Sequence, residues 1–325
     1  MVSSKKARKP AAKKSAKRPA KMTAKAAAKK VVKKAVAKSA KKPVKVAARS
    51  NVAIEDRITK EALKRVSATS DRRLRTLLQS LIKHVHAFAR ETALTPEEWF
   101  AGIQFLTATG QKCDQERQEF ILLSDTLGLS MMLDAINHRD EAHNVTESSV
   151  IGPFYRAGSP IYPNGSAIYS NTEGEPVTVS GTVSSPSGKP VQGAVVDVWQ
   201  TAPNGLYYSQ DANQKEYNLC GRFHTEADGS YKFITLMPHS YPIPVDGPVG
   251  DMLRASKRDH YRPAHLHFRV SAPGHREVIT EFYTKGDKFL NHDPVLGVKK
   301  SLIIEYKKGA KGYTLDRDFV LQTVK

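Results

Sequence analysis

Cysteine is scarce in this chain, which contains only Cys113 and Cys220 among 325 residues. Two cysteines so far apart in the sequence form neither a disulfide framework nor a thiolate metal site. A chain of this length is long enough to bury a sizeable hydrophobic core without such links. We therefore expect a protein of the reducing cytoplasm that is held together by its core.

Long apolar runs are also missing. Since no stretch of about 18 or more apolar residues occurs, the sequence predicts no transmembrane helix. The first residues are basic, but no apolar segment follows them, so we expect no secretory signal. Both absences favour a protein without a membrane span.

Acidic residues are absent from residues 1–49, which hold 19 of the 51 Lys and Arg residues. The rest of the chain has equal numbers of basic and acidic residues, so the net charge of +19 lies in this segment. Its Lys, Ala and Pro residues cannot bury enough surface to offset the entropy lost on ordering, which predicts a disordered tail over residues 1–50. Such a tail either attracts a polyanion such as nucleic acid or only keeps the protein soluble.

Residues 51–150 are predicted to form a helical domain. Thr95, Pro96 and Glu98 form a helix start, with an N-cap, a proline at the first helical position and a capping box. The segment 71–91 places apolar residues at spacings of three and four, which creates one apolar stripe on a helix. Because this stripe must be covered, we expect the domain to form a homodimer. The stripe consists of Leu74, Leu77, Leu78, Leu81, Ile82, Val85 and Phe88.

Residues 151–325 are predicted to form an antiparallel β-sandwich. From Pro176 onward, short runs rich in β-branched and aromatic residues are separated by turn signals such as Asp228-Gly229. Several short strands without long helices between them are typical of an all-β sandwich. The predicted fold class is therefore mainly β, with a helical N-terminal domain and a basic tail. The candidate strands are Val177–Val183, Ala194–Gln200, Tyr231–Leu236, His265–Ser271, Val278–Tyr283, Ser301–Tyr306 and Phe319–Thr323.

Two histidines stand two residues apart in the predicted strand His265–Ser271. Residues at this spacing point to the same face of a strand, so His265 and His267 are placed to share a metal ion. The pair alone is weak evidence, because an ordinary polar strand face gives the same pattern. No Asp or Glu occurs between Pro263 and Gly274, so the nearby sequence offers no carboxylate for a two-histidine, one-carboxylate Fe(II) site.

Tyrosines in turn-like segments are the other candidate ligands. They occur in Gly205-Leu206-Tyr207-Tyr208 and in Pro238-His239-Ser240-Tyr241-Pro242. A tyrosinate is a hard, anionic oxygen donor that suits Fe(III) better than softer divalent ions, and tyrosine is the haem ligand in catalase. Because a single tyrosine more often belongs to core packing, these residues alone leave the metal open.

Several segments, in order along the chain, resemble the intradiol ring-cleavage dioxygenase family. They are FILLSDTLGLS, ESSVIGPFY, DVWQTAPNGLYY, PHSYPIPVDGP and YRPAHLHFRVSAPGHR. The resemblance extends from about residue 60 to the C terminus and leaves only the basic tail unmatched. It implies an enzyme that opens the ring of a catechol-type substrate with O2 and that holds one Fe(III) per subunit.

The resemblance also implies roles for individual residues. We prefer Tyr207 to Tyr208 as a ligand because the family places its ligand two residues after the glycine, here Gly205. Tyr241 is implied to take up a substrate proton, and Arg262 to stabilise negative charge that builds on the substrate. The implied iron ligands are Tyr207, Tyr241, His265 and His267.

Local patterns in the segments 122–128, 240–248 and 293–299 are similar to hydroxyquinol (1,2,4-trihydroxybenzene) enzymes of this family, which implies cleavage to maleylacetate. Asp125 supports this prediction, because a buried acid in an apolar helix is costly unless it meets a polar partner such as a third hydroxyl. Asp125 capping a helix or pairing with a cation is the alternative. A catechol or substituted-catechol enzyme, giving cis,cis-muconates, is the alternative function. The implied pocket comprises Leu122, Asp125, Val150, Ile151, Gly152, Pro153, Phe154, Ile243, Pro244 and Arg262.

One departure from the family concerns Glu281, where catechol enzymes usually carry glutamine. A glutamate beside an anionic substrate has to be protonated or paired, so the sequence leaves its role open. A distant alternative function is a nucleic-acid-associated binding protein that acts through the basic tail. The intact set of Tyr, His and Arg residues argues against that alternative.

Overall fold

The computed structural model describes residues 48–115 and 117–324, which form two compact units. One unit ends at Gln104 and the other begins at Phe105. The predicted disordered tail lies outside the described residues, except that its last three belong to the first helix. No helix in the described part of the chain is long and apolar enough to cross a membrane.

The first unit is helical. It contains α1 (Ala48–Val66), α2 (Arg72–Glu91) and the first part of α3 (Pro96–Gln111). At the start of α3 the amide of Thr95 donates to Glu98 Oε2 at 3.0 Å, and the amide of Glu98 donates to Thr95 Oγ1 at 3.2 Å. The capping box predicted from the sequence is therefore confirmed.

The apolar stripe on α2 is not covered within this unit. Leu81, Val85 and Phe88 are each more than half exposed in the single chain, and no residue of α2 is buried. An exposed apolar surface of this kind usually marks an interaction site. The predicted homodimer through this helix would cover the stripe and stays a prediction.

The second unit contains the rest of α3 together with α4 (Glu119–Thr126), α5 (Leu129–Asn137) and α6 (Pro248–Ala255). Gly128 separates α4 from α5, because its φ of +77° is a left-handed conformation that favours glycine. A Cβ at this position would lie 2.8 Å from a methyl carbon of Leu296. The α4–α5 corner therefore packs closely against the loop that carries Leu296.

Short strands make up most of the second unit, and five of the seven predicted strands are present to within one residue at each end. Of the predicted strand Ser301–Tyr306, only Ile303–Ile304 is a strand, and a 3-10 turn precedes it; of Phe319–Thr323, only Phe319–Val320 is a strand, and Thr323 forms an isolated bridge with His275. The strands are β1 (Pro176–Ser184), β2 (Val195–Trp199), β3 (Cys220–His224), β4 (Ser230–Leu236), β5 (Tyr241–Pro242), β6 (Tyr261–Arg262), β7 (His265–Ser271), β8 (Val278–Thr284), β9 (Ile303–Ile304), β10 (Lys307–Gly309), β11 (Gly312–Asp316) and β12 (Phe319–Val320).

The strands form two five-stranded sheets and a short ribbon. One sheet has the order β10-β11-β1-β12, with β4 also paired to β1, and the other has the order β3-β2-β7-β8-β9. Most pairs are antiparallel, but β1 runs parallel to β11 and β12, and β8 runs parallel to β9. The predicted mainly β fold class with helices at the N terminus is confirmed. The expectation of purely antiparallel sheets is wrong, because the chain returns to β1 and β8 through longer crossover connections.

Alternation along β7 separates the core from the site. Leu266 and Phe268 are fully buried in the main hydrophobic core, where they pack with residues of β1, β2 and β4. Because neighbouring strand residues face opposite sides of a sheet, His265 and His267 point away from that core. The two histidines therefore lie on the outer face of the second sheet.

Candidate metal centre and active site

The two histidines of β7 meet at their Nε2 atoms. His265 and His267 are 3 and 1% exposed, and their Nε2 atoms are 3.1 Å apart. Nδ1 of His265 lies 2.7 Å from the carbonyl oxygen of Pro263. An Nδ1–H that donates to this oxygen leaves the lone pair of Nε2 free for a metal. The ring of His267 stacks on Trp199, with centroids 4.7 Å apart and planes inclined by 8°.

Two tyrosine hydroxyls complete a cluster with these imidazoles. Tyr207 Oη lies 2.8 Å from Tyr241 Oη and 3.0 Å from Nε2 of His267. Tyr241 Oη lies 3.4 Å from Nε2 of His265. Both tyrosines are buried. The structure thus brings together all four residues that the sequence predicted as ligands.

Local backbone geometry explains how each tyrosine reaches the cluster. Gly205 has a φ of +81°, and a Cβ there would lie 3.2 Å from Cβ of Tyr241, so a tight glycine turn sets Tyr207 against Tyr241. Tyr241 is held by the ribbon of β5 and β6, in which it pairs with Arg262. The neighbouring Tyr208 turns away and packs near Tyr217, with centroids 5.1 Å apart.

The donor set fits a metal ion. Ligand bonds of about 2.0–2.2 Å place neighbouring donor atoms about 3 Å apart around one centre, which matches the separations of 2.8 to 3.4 Å in this cluster. Burial, together with the charge of Arg262, lowers the pKa of His265 to about 4, and burial holds the pKa of His267 well below its usual value. Both imidazoles are therefore neutral and able to ligate. Burial raises the pKa of both tyrosines, so two phenolates here require a nearby cation.

A carboxylate also lies beside the histidines. Glu281 faces His267 across the β7–β8 pair, and its Oε1 is 3.2 Å from Nδ1 of His267 and 3.5 Å from Nε2 of His265. Ligand atoms of these three residues lie within 4.8 Å of one another. The expectation that no carboxylate is near the pair is therefore wrong, because the acid comes from the next strand and not from the flanking sequence.

Glu281 is engaged by other residues on both of its oxygens. Oε1 accepts a hydrogen bond from Arg262 Nη1 at 2.6 Å, and Oε2 accepts one from Arg262 Nη2 at 2.8 Å. Oε2 also accepts from Ser149 Oγ at 3.0 Å and from the hydroxyl of Tyr283. Burial raises the pKa of Glu281, but the charge of Arg262 outweighs burial and holds it below its usual range. The glutamate is thus paired, which favours the four-ligand Tyr and His set over a carboxylate ligand.

Arg262 lies between the metal cluster and two acids. Its side chain is buried, and Nη1 is 3.2 Å from Nε2 of His265. On its other edge, Nε donates to Asp293 Oδ1 at 3.0 Å. Burial opposes the charge of the guanidinium, but Asp293 and Glu281 hold its pKa well above the ordinary value. Arg262 is therefore a fixed cation at the edge of the cluster.

A narrow cavity opens beside the cluster. Of the predicted pocket residues, Val150, Ile151 and Pro244 do not line it. Val295 lines it and was not predicted. Its walls are Leu122, Asp125, Gly152, Pro153, Phe154, Tyr207, Tyr241, Ile243, Arg262, His267 and Val295.

Models of two protein families match consecutive parts of the chain. The model described as "Catechol dioxygenase N terminus" matches residues 71–145, and the model described as "Dioxygenase" matches residues 150–323. The second match alone spans more than half of the chain. The chain belongs to the intradiol ring-cleavage dioxygenase family. The family predicted from the sequence is confirmed, and the protein is an enzyme of a family that uses non-haem iron.

Relatives of this intradiol dioxygenase include enzymes named for different substrates. A 6-chlorohydroxyquinol 1,2-dioxygenase of Cupriavidus pinatubonensis is 45% identical over 81% of this chain and 96% of its own length. A catechol 1,2-dioxygenase of Candida albicans is 41% identical over 77% of this chain and 87% of its own length. A solved structure of hydroxyquinol 1,2-dioxygenase from Pseudomonas putida DLL-E4 has a TM-score of 0.78 and 45% identity, covering 84% of this chain and 99% of that chain. Of the substrates in these names, hydroxyquinol and catechol differ by one hydroxyl group.

Asp125 is the acidic residue in the cavity wall of this intradiol dioxygenase. It is 2% exposed, and its Oδ1 accepts a hydrogen bond from Ser130 Oγ at 2.5 Å. Its Oδ2 is buried without a hydrogen-bond partner among the described residues. No cation of the described residues forms a salt bridge with it, and the N-cap of α4 is Gln118. The two alternatives open at the sequence level, a helix cap or an ion pair, are therefore not what the structure shows.

For several residues around the site of this intradiol dioxygenase, the sequence does not predict the contacts that they make. Glu281 reaches the site through strand register, and Ser149 and Tyr283 join it through Glu281. Asp293 and Val295 lie in a segment that resembles hydroxyquinol enzymes, which is the one signal that points to them. Their contacts with Arg262 and the cavity depend on how this loop folds back on β6.

Proposed function

We propose that this intradiol dioxygenase cleaves hydroxyquinol with O2 to maleylacetate. The observation that carries the proposal is the buried, unpartnered Oδ2 of Asp125 in a cavity that also contains Tyr241 and Arg262. A third hydroxyl on the substrate would donate to this oxygen, whereas catechol has no group to do so and would leave it unpaired. The relatives named for hydroxyquinol and for its chlorinated derivative support the same substrate class.

We infer that the metal is Fe(III), with one ion per subunit. Two phenol oxygens and two neutral imidazole nitrogens form a donor set that suits a hard ferric ion. When bound, the ion would take up the two adjacent hydroxyls of the substrate and make the ring reactive toward O2. The residues that would hold it are Tyr207, Tyr241, His265 and His267.

Different side chains of the site transfer a proton, stabilise negative charge and orient the substrate ring. Tyr241 Oη lines the cavity and, as a phenolate, accepts a proton from a substrate hydroxyl. Arg262 keeps a positive charge at the cavity edge, where negative charge grows on the substrate oxygens as the ring opens. Leu122, Phe154 and Ile243 provide apolar walls that orient a flat ring and exclude water. In the overall reaction the bond between the two adjacent hydroxyl-bearing carbons breaks, and both atoms of O2 enter the product.

The second candidate function is cleavage of catechol or a substituted catechol to cis,cis-muconates. The relative named catechol 1,2-dioxygenase, at 41% identity, favours it. In that case the Asp125 carboxyl group would have only a structural role, because the substrate would lack the third hydroxyl.

Other features of the whole protein are also proposals. We propose that the helical and β-sandwich domains meet near residue 150, close to the end of one family match and the start of the other. The exposed stripe of α2 supports a homodimer through the helical domain. The scarcity of cysteine supports a cytoplasmic location, and the basic composition of residues 1–49 supports weak, non-specific polyanion binding.

Oxygen uptake by the purified, iron-loaded protein tests the substrate. Hydroxyquinol and catechol are compared at matched concentrations, first with the wild-type protein and then with Asp125→Ala. We expect faster uptake with hydroxyquinol, and a loss on Asp125→Ala of about ten- to a hundredfold in kcat/KM for hydroxyquinol with little change for catechol.

Ser130→Ala is the matched control, because it removes the hydroxyl that donates to Asp125 Oδ1 and contacts Ser124 Oγ, and leaves the carboxyl group in place. It should affect both substrates alike. A wild-type preference for catechol, or an equal loss on both substrates in Asp125→Ala, would move the assignment to a catechol enzyme.

A further inference from the structure

The carboxyl group of Asp293 binds two parts of the molecule at once. Oδ1 accepts from Arg262 Nε at 3.0 Å, and Oδ2 lies 3.3 Å from Arg262 Nη2. The same two oxygens accept from the backbone amides of Val295 at 3.4 Å and Gly297 at 3.0 Å. Asp293 is 6% exposed. One buried acid therefore connects the guanidinium of Arg262 to the turn that follows it.

This turn, residues 293–297, cannot shift without disturbing the ion pair below it. A Cβ at Gly297 would lie 2.9 Å from Glu281 Oε2 and 3.1 Å from Arg262 Nη2, and closer still to the hydroxyl of Tyr283. The backbone of the turn thus packs directly on the Arg262–Glu281 pair. Val295, in the middle of the turn, is 2% exposed and forms part of the cavity wall.

A second cation anchors the turn to the helix that carries Asp125. Arg258 donates from Nη2 to the carbonyl oxygen of Pro294 at 2.9 Å and from Nη1 to the carbonyl oxygen of Thr126 at 2.6 Å. Thr126 is the last residue of α4, next to Asp125. The start of the turn is therefore fixed twice, through Asp293 to Arg262 and through Pro294 and Arg258 to the helix in the cavity wall.

Arg262 needs a partner on each edge to keep one orientation. Glu281 holds the edge formed by Nη1 and Nη2, which leaves the Nε edge to Asp293. A guanidinium gripped on both edges by carboxylates has its plane fixed, since each pair of parallel bonds defines an angle as well as a distance. Without Asp293, the guanidinium would be held only through its Nη atoms, by Glu281 and by the Tyr283 hydroxyl at 3.1 Å from Nη2, and its Nε side would be free to tilt.

We propose that Asp293 is a positioning residue that holds Arg262 in its catalytic orientation and, through the turn 293–297, sets Val295 in the cavity wall. The inference rests on the proposed function, because it assigns Arg262 a role in that reaction. Asp293 itself does not touch the substrate. It couples Arg262 to Val295, so that a displacement of one side chain also displaces the other.

Asp293→Asn is the first test, since it keeps the size of the side chain but removes the charge that grips Arg262. We expect kcat for hydroxyquinol to fall about ten- to a hundredfold, because a small displacement of a catalytic group is enough for such a loss. Iron content and melting temperature should match those of Asp197→Asn, which removes a buried acid that contacts Ser159 and Tyr155 instead of Arg262.

Gly297→Ala gives a second route to the same result if Asp293→Asn folds poorly. It leaves Asp293 intact but pushes the turn away from Arg262 and Glu281, and it should lower kcat in the same way. The dissociation constant of hydroxyquinol, measured without O2, separates binding from turnover. We expect it to change less than kcat in both variants.

A double-mutant cycle with Val295→Ala tests the coupling. If Asp293 sets Val295 in place, the loss of kcat/KM in the double variant should differ by about threefold or more from the product of the losses in Asp293→Asn and Val295→Ala. Additive effects, or a kcat of Asp293→Asn within twofold of wild type, would overturn the inference while the proposed function stands. A wild-type protein inactive on both hydroxyquinol and catechol would instead remove the proposed function.

Discussion

At Asp125, burial and hydrogen bonding shift the pKa of the carboxyl group in opposite directions. Burial raises its pKa to about 6, although the bond from Ser130 and the charge of Arg262 favour the ionised form. The folded protein therefore binds this proton more tightly than the unfolded chain, in which an aspartate has a pKa of about 3.9. The stability gained from the protonated form is complete below the unfolded pKa and is lost as the pH rises through about 6.

Asp125→Asn should remove this pH dependence, because asparagine is neutral at every pH. Between pH 4 and pH 8, we expect the variant to gain about 2–3 kcal/mol in unfolding free energy relative to wild type, at about 1.4 kcal/mol per unit of pKa shift. Urea denaturation at the two pH values measures the difference. A constant difference between variant and wild type would show that the carboxyl group does not titrate in this way.

Tyr207 and Tyr208 test the choice between adjacent tyrosines. Tyr207→Phe removes an oxygen that lies 2.8 Å from Tyr241 Oη, so we expect lower iron content and a loss or strong shift of the visible tyrosinate-to-iron absorption. Tyr208→Phe is the matched control, since Tyr208 packs near Tyr217, and should keep the wild-type spectrum. The reverse pattern would mean that Tyr208 is the ligand.

The residues of the site differ in how far a sequence reveals them. His265 and His267 are visible because two residues apart means one face of a strand, whatever the rest of the fold. Comparison with the family points to Glu281, but the contacts of Glu281 and Asp293 with Arg262 are not visible, since they depend on the register of β8 and on the path of a loop. Local periodicity predicts faces, but it does not predict which strand or loop lies opposite a face.

Among the elements, strands with several apolar residues were predicted well, whereas β3, β5, β6, β10 and β11 were not predicted. β7 and β8 have five or more residues in continuous pairing, and their alternation is clear in the sequence. β5 and β6 have two residues each, and they pair because the chain brings Tyr241 beside Arg262. In β3, position 221 is a glycine, because a larger side chain there would collide with Ile168. The strand therefore lacks an apolar residue that would have marked it in the sequence.

The turn at Gly205 gives a prediction at the scale of an element. Gly205 and Gly188 have nearly equal φ values of +81° and +80°, but a Cβ at Gly188 meets nothing within 4 Å. Both alanine variants should lose about 1–2 kcal/mol of stability from the left-handed backbone. Only Gly205→Ala should also lower the iron content, because its Cβ presses on Tyr241.

Thermal or urea unfolding and metal analysis of the two variants make this comparison. Equal iron content in Gly205→Ala and Gly188→Ala would mean that the turn does not position the tyrosines.

For the whole molecule, the open question is what covers the stripe on α2. Leu81→Lys places a charge at a residue that is 59% exposed in the single chain. If the proposed homodimer forms through this helix, burying that charge is costly and the variant should be largely monomeric in sedimentation. Ser80→Lys, one residue away and outside the apolar stripe, should leave the dimer intact. If both variants sediment with the same assembly mass, another surface, or none, joins the subunits.

The alternation along β7 also bears on how such a protein can change over evolutionary time. Leu266 and Phe268 belong to the core, and His265 and His267 belong to the metal cluster. Inserting or deleting one residue in this strand would exchange the two faces at once. Segments that line the cavity without spanning the sheet, such as the turn 293–297, are free of this restriction. New substrate ranges are therefore expected to arise by changes in these segments, on a strand that stays constant in length.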